Sequence, residues 1–142
     1  MNEVKLNWEG ELIFNVEQEG HNFYIDVSKE AGGGDKGVRP KNLLLSSLGG
    51  CSGMDIVALL KKMRVTDYKF EIIIKAESEE EHPKVYKNIE LAFHLTGADV
   101  PEDKAKRAIE LTLTKYCPVY IMLEKAVPIK PRLYINDQEI EL

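Results

Sequence analysis

A chain of 142 residues suits one domain, spanning 1–142, and at that length roughly two-thirds of the unfolded surface can be buried. Its 44% hydrophobic and 30% charged residues are the balance of a globular protein. The net charge of −5 argues against a nucleic-acid partner, which needs a basic face.

The first third reads as strands. "VKLNWEG", "ELIFNVEQ" and "HNFYIDVS" are short, rich in aromatic and β-branched residues, and separated by Gly10 and Gly20, which predicts a three-stranded meander. The glycine-rich "KEAGGGDKGVR" is expected to be a flexible loop. Pro40 suits the first turn of a helix, where its missing N–H costs nothing, and helical spacing then runs to about Met63. In "YKFEIIIKAES", Phe70, Ile72 and Ile74 share one face of a strand. In "KNIELAFHLTG", Ile89, Leu91, Phe93 and Leu95 do the same, with Glu90, His94 and Thr96 opposite. The charged "SEEEHPK" joins the two as a hairpin loop. A helix opening near Pro101, with Glu102 and Asp103 in its first turn, carries a stripe of Ala105, Ile109, Leu113 and Tyr116 expected to be buried. It ends before Pro118, which opens a third helix, "PVYIMLEKA". "PIKPRLYIND" is expected to be an edge strand, where prolines are tolerated. Hairpins outnumber βαβ crossovers in this order, so the fold class is α+β.

No stretch is expected to reach the roughly 20 apolar residues of a membrane span. The opening "MNEVKLNWEGEL" lacks an apolar signal region, so the expected location is cytoplasmic, with no membrane partner. The two cysteines should then be mostly reduced.

Few residue patterns carry chemistry. Gly32, Gly34 and Gly37 formally make G-x-G-x-x-G. A dinucleotide site needs the third glycine inside the helix of a βαβ unit, and here the helix starts three residues later. His21, His82 and His94 lack metal-ligand spacing and read as surface residues. No metal and no cofactor is expected. Cys51 and Cys117 lie 66 residues apart and are not a zinc-ribbon pair. Each is open to two readings, a buried small hydrophobe or a reactive thiol. Cys117, between a helix end and Pro118, sits near an N-cap, where free N–H groups and the helix dipole favour a thiolate. Cys51 lies beyond that reach in its own helix. Gly49 and Gly50 beside it remove side chains, either to admit a ligand or to let another helix pack closely.

The stretches "P-x-x-L-L-L-x-x-L-G-G-C-x-x-x-D", Pro40 to Asp55, and "Y-C-P-V-x-x-x-L-E-K-A-V-P-I", Tyr116 to Ile129, resemble the OsmC/Ohr family of thiol-dependent peroxidases, most closely its YhfA-like branch. The resemblance implies an α+β OsmC-like fold, with antiparallel sheets around a long cysteine-bearing helix, in an intertwined homodimer with active sites at the subunit interface. It implies an organic hydroperoxide as substrate and a dithiol reductant such as a lipoylated protein. By the same resemblance Cys51 attacks the peroxide, Cys117 resolves the sulfenic acid, and a Cys51–Cys117 disulfide results. The family pattern also pairs a glutamate just after the helix-opening proline with an arginine from the N-terminal strands. Here Lys41 and Asn42 follow Pro40 and no arginine precedes Arg39. Arg39 is therefore the candidate cation for the thiolate, or else a solvated loop residue. The alternative function on the same scaffold is a redox-sensing or apolar-ligand-binding dimer.

Overall fold

The computed structural model describes residues 1–142. Its contacts divide the chain into two compact units, Met1–Ser46 and Ser47–Leu142.

In the first unit, β1 (Lys5–Trp8), β2 (Phe14–Gln18) and β3 (His21–Ile25) form the expected antiparallel meander. Glu19 and Gly20 alone join β2 to β3, both with positive φ, 51° and 80°. That is the geometry of a two-residue hairpin turn whose twist matches the strands. The glycine-rich segment after β3 is held rather than flexible. The carboxylate of Asp26, itself 2% exposed, accepts hydrogen bonds from the N–H groups of Val27 (2.7 Å), Gly34 (3.2 Å) and Lys36 (3.1 Å). The backbone has wrapped an acid of its own chain. A Cβ at Gly33 would stand 2.3 Å from the Val27 carbonyl oxygen, and one at Gly37 2.4 Å from that of Tyr24. Two of the glycines are therefore required by close approach.

Helix α1 (Pro40–Lys62) opens on its proline as expected and is 23 residues long. By length and composition it is able to cross a membrane, contrary to the expectation that no stretch is. Its Leu48, Gly49, Ser52, Gly53, Ile56 and Leu60 are buried within the protein, the arrangement of a core helix.

The second unit is a four-stranded sheet in the order β4 (Lys69–Ser78), β5 (Tyr86–Thr96), β6 (Ile129–Ile135), β7 (Gln138–Ile140). β4 and β5 pair antiparallel, with Phe70 opposite Leu95 and Ile72 opposite Phe93. The expected face of Ile89, Leu91, Phe93 and Leu95 is at most 2% exposed. The middle of α1 lies on β4 through glycines: a Cβ on Gly49 would meet Ile74 Cδ1 at 2.9 Å, and one on Gly53 would meet Ile72 Cδ1 at 2.7 Å.

Two expectations fail here. β6 is interior: it pairs parallel to β5 and antiparallel to β7, a short strand not anticipated in "QEI". Its Pro131 is tolerated because pairing with β7 begins only at Leu133, so that flank is still an edge at the proline. The buried stripe of α2 (Glu102–Leu111) also changes course. Ala105, Ile109 and Leu113 are buried, but Tyr116 is 45% exposed, and Ala108 and Thr112 are buried instead. The cause is a π-helical turn at Thr112–Tyr116, in which the Cys117 N–H reaches back five residues to the Thr112 carbonyl at 2.8 Å. Widening the helix by one residue per turn rotates Tyr116 off the buried side. α3 (Pro118–Leu123) follows at once.

Candidate active site

The π-helical turn delivers Cys117 to the N-cap of α3, where its backbone is extended (φ −80°, ψ 100°) and its Sγ accepts a hydrogen bond from the Tyr120 N–H at 3.3 Å. The expected N-cap position is therefore observed. Its expected consequence is not. Cys117 is fully buried, and burial is the largest influence on its thiol, which is pushed up to about 11. The neighbouring Cys51 sulfur and the Asp55 carboxyl add to the rise, and the Tyr120 N–H only partly opposes it. A single N–H and the field of a six-residue helix are worth a few tenths to about 1 kcal/mol, less than the cost of placing a thiolate among apolar groups.

Cys51 lies mid-helix on α1 and is half-buried. Asp55 follows four residues later, on the same face of the helix. The Sγ atoms of Cys51 and Cys117 and a carboxylate oxygen of Asp55 all lie within 4.8 Å of one another. Two thiols 66 residues apart in sequence are thus brought together, and both are free. A disulfide between them would require the two sulfurs to close to about 2.05 Å. The Asp55 Oδ2 atom is buried and has no hydrogen-bond partner. Sequence reasoning included Asp55 in a motif but gave it no part in the site. Its i,i+4 spacing from Cys51 was the available signal.

Arg39 belongs to the first unit. One guanidinium nitrogen donates to the Gly37 carbonyl at 2.8 Å, and another pairs with the Asp35 carboxylate. It also helps hold the Asp26 carboxyl below its ordinary range, an effect led by the Lys36 N–H. Arg39 is neither free nor fully solvated: it fastens its own loop. The histidines stay outside the thiol cluster. His94 is half-buried rather than solvent-facing, with its ring stacked on Tyr134 at 4.6 Å. An apolar groove of about 390 Å³ lined by Ile109, Leu113, Tyr120, Pro131 and Leu142 neighbours α3, and neither cysteine lines it. Only Cys51, Asp55 and Cys117 form a cluster of donors suited to a metal ion.

The family model described as OsmC-like protein matches residues 32–132. Protein YhfA of Escherichia coli K12 is 35% identical over 128 residues, which cover 89% of this chain and 92% of that one. A crystal structure of a hypothetical protein from Aquifex aeolicus superposes with a TM-score of 0.84 at 31% identity, over 95% of this chain and 96% of the other. A Legionella pneumophila structure, described as an organic hydroperoxide resistance protein OsmC, superposes with a TM-score of 0.67 at 14% identity, over 94% and 96%. The last shows a shared fold only; the family match and the two closer relatives carry more. With the thiol pair on its long helix and N-cap, this α+β chain belongs to the OsmC-like family.

Proposed function

We propose that the protein is a thiol-dependent peroxidase that reduces organic hydroperoxides. The observation that carries this reading is the meeting of a half-buried and a fully buried thiol within 4.8 Å. The Cys51 thiolate attacks the distal peroxide oxygen. The O–O bond breaks, the alcohol leaves with a proton, and Cys51 sulfenic acid remains. The Cys117 sulfur then attacks the Cys51 sulfur, water leaves, and the Cys51–Cys117 disulfide holds the two-electron oxidation. A small dithiol or lipoylated protein returns both thiols by exchange.

Access supports this division of labour, because the attacking sulfur must meet the substrate and the resolving sulfur need meet only Cys51. Arg39 is the cation proposed to favour the thiolate, in exchange for its present ion pair with Asp35. A homodimer is proposed because Met54 and Val57 on α1, and Met122 on α3, are apolar and exposed, a surface that a second copy would cover. The Legionella protein's name is consistent with this reading. So is a cytoplasmic location, where reduced dithiols are available.

The test is to add one equivalent of cumene hydroperoxide to the reduced protein and follow peroxide loss and the thiols. Stoichiometric consumption with a Cys51–Cys117 disulfide is expected, slowed in Arg39→Ala, and turnover should continue with dihydrolipoamide. Intact peroxide and two free thiols would instead favour the non-catalytic alternative, a redox sensor or apolar-ligand binder.

A further inference from the structure

We infer that Cys51, Cys117 and Asp55 together form a binding site for one soft divalent cation of the zinc class. This does not depend on peroxide chemistry. It follows from geometry, donor type and one unsatisfied atom.

The three donor atoms are no more than 4.8 Å apart. Whatever triangle they make, some point lies within 4.8 Å divided by √3, about 2.8 Å, of all three. Zinc stands about 2.3 Å from thiolate sulfur and about 2.0–2.2 Å from carboxylate oxygen. Closing that gap asks each sulfur for about 0.5 Å and the carboxylate oxygen for about 0.6–0.8 Å. The donors are two sulfurs and one oxygen, a set that selects zinc or cadmium over magnesium and calcium. Cys51 and Asp55 stand at i and i+4 on one helix, the spacing by which two helical ligands reach one zinc. The Tyr120 N–H on the Cys117 sulfur is an outer contact of the kind that orients a metal ligand.

The second, independent observation is Asp55 Oδ2, which is buried and accepts no hydrogen bond. A buried carboxylate oxygen without a donor is a costly arrangement, and beside two thiols a cation relieves it. Three protein ligands leave a fourth tetrahedral position for water or an incoming molecule. Both sulfurs are ligands, so a bound ion and a Cys51–Cys117 disulfide exclude each other.

The experiment uses the full chain, reduced and stripped with a chelator. It is titrated with Cd²⁺ while the thiolate-to-metal charge-transfer absorption is followed, and Zn²⁺ is then measured by displacement. Saturation is expected at one ion per chain, with both cysteines protected from iodoacetamide as read by mass spectrometry. Cys51→Ser and Cys117→Ser should each lose about half the absorption and bind at least ~100-fold more weakly; Asp55→Asn should keep the absorption and bind ~10–100-fold more weakly. No saturation at one equivalent, thiols that alkylate at the metal-free rate, or undiminished affinity in Asp55→Asn would each overturn the site. The protection of the wild-type thiols needs no variant, so a substitution that fails to fold does not shield the proposal.

Discussion

Cys51 and Cys117 are the same residue in opposite settings. Cys51 rides the middle of a regular helix and is half-buried. Cys117 stands where a helix widens, stops and restarts, with an N–H on its sulfur and no exposed surface. The position with the better electrostatics thus holds a thiol pushed up to about 11, since burial outweighs one hydrogen bond. A helix terminus activates a cysteine only where water also reaches it.

The widest difference between the two should appear on substitution. Cys51→Ser is expected to abolish hydroperoxide consumption. Cys117→Ser should still react once, leaving a sulfenic acid on Cys51 that a trapping reagent labels and mass spectrometry locates. Label on Cys117 in the Cys51→Ser protein, with none on Cys51 in the other, would reverse the assignment and with it the argument from access.

The pH dependence sharpens the contrast. With Cys117 at about 11 against an ordinary 9.0, its thiolate fraction at neutral pH is small and rises tenfold per pH unit toward that value. Alkylation of Cys117 in the native protein should therefore climb steeply across the alkaline range. Stability carries the same signature. The folded state holds the proton more tightly, so this group's contribution is complete below pH 9 and is lost as pH rises from 9 to about 11. Urea unfolding at about pH 8 and about pH 10.5 should show a larger drop for wild type than for Cys117→Ser. Equal drops would mean that burial does not govern this thiol.

Much of this was legible in the chain and some was not, for local reasons. The alternating apolar residues of β5 and the proline opening α1 each bear on one element, and the structure follows them. The stripe expected on α2 follows a constant 3.6-residue period, and a π-helical turn breaks that period at Tyr116. The prolines of β6 suggest an edge strand; the partner that makes it interior, β7, is three residues long and polar enough to pass as tail. The meeting of Cys51 and Cys117 is a tertiary fact that spacing alone cannot encode, and family resemblance supplied it. Asp55 was visible only as one carboxylate in an apolar helix. Its unpartnered oxygen became apparent once the surrounding side chains were in place.

The smallest expected effect separates two glycines on the helix of Cys51, and it bears on whether that helix meets another chain. The sequence reading offered Gly49 and Gly50 together as room for a ligand or a neighbour. The structure divides them. Gly49 and Gly53 are pressed on β4, while a Cβ on Gly50 would meet nothing within 4 Å. Alanine is better than glycine inside a helix by about 1 kcal/mol. Gly50→Ala should therefore stabilise the isolated chain by roughly 0.5–1 kcal/mol. Gly53→Ala starts with the same gain but sets a methyl 2.7 Å from Ile72 Cδ1, the end of a side chain that must turn aside, so a smaller gain than at Gly50 is expected. Denaturant unfolding at high dilution measures both, and sedimentation of the same samples reads association. A Gly50→Ala protein that is more stable as a monomer yet dimerises more weakly would place the partner against Gly50, beside the Cys51 sulfur. Greater stability with unchanged association would put the partner elsewhere, and the exposed face of α1 would then need another explanation. Lower stability in the monomer itself would contradict the open space at Gly50 outright.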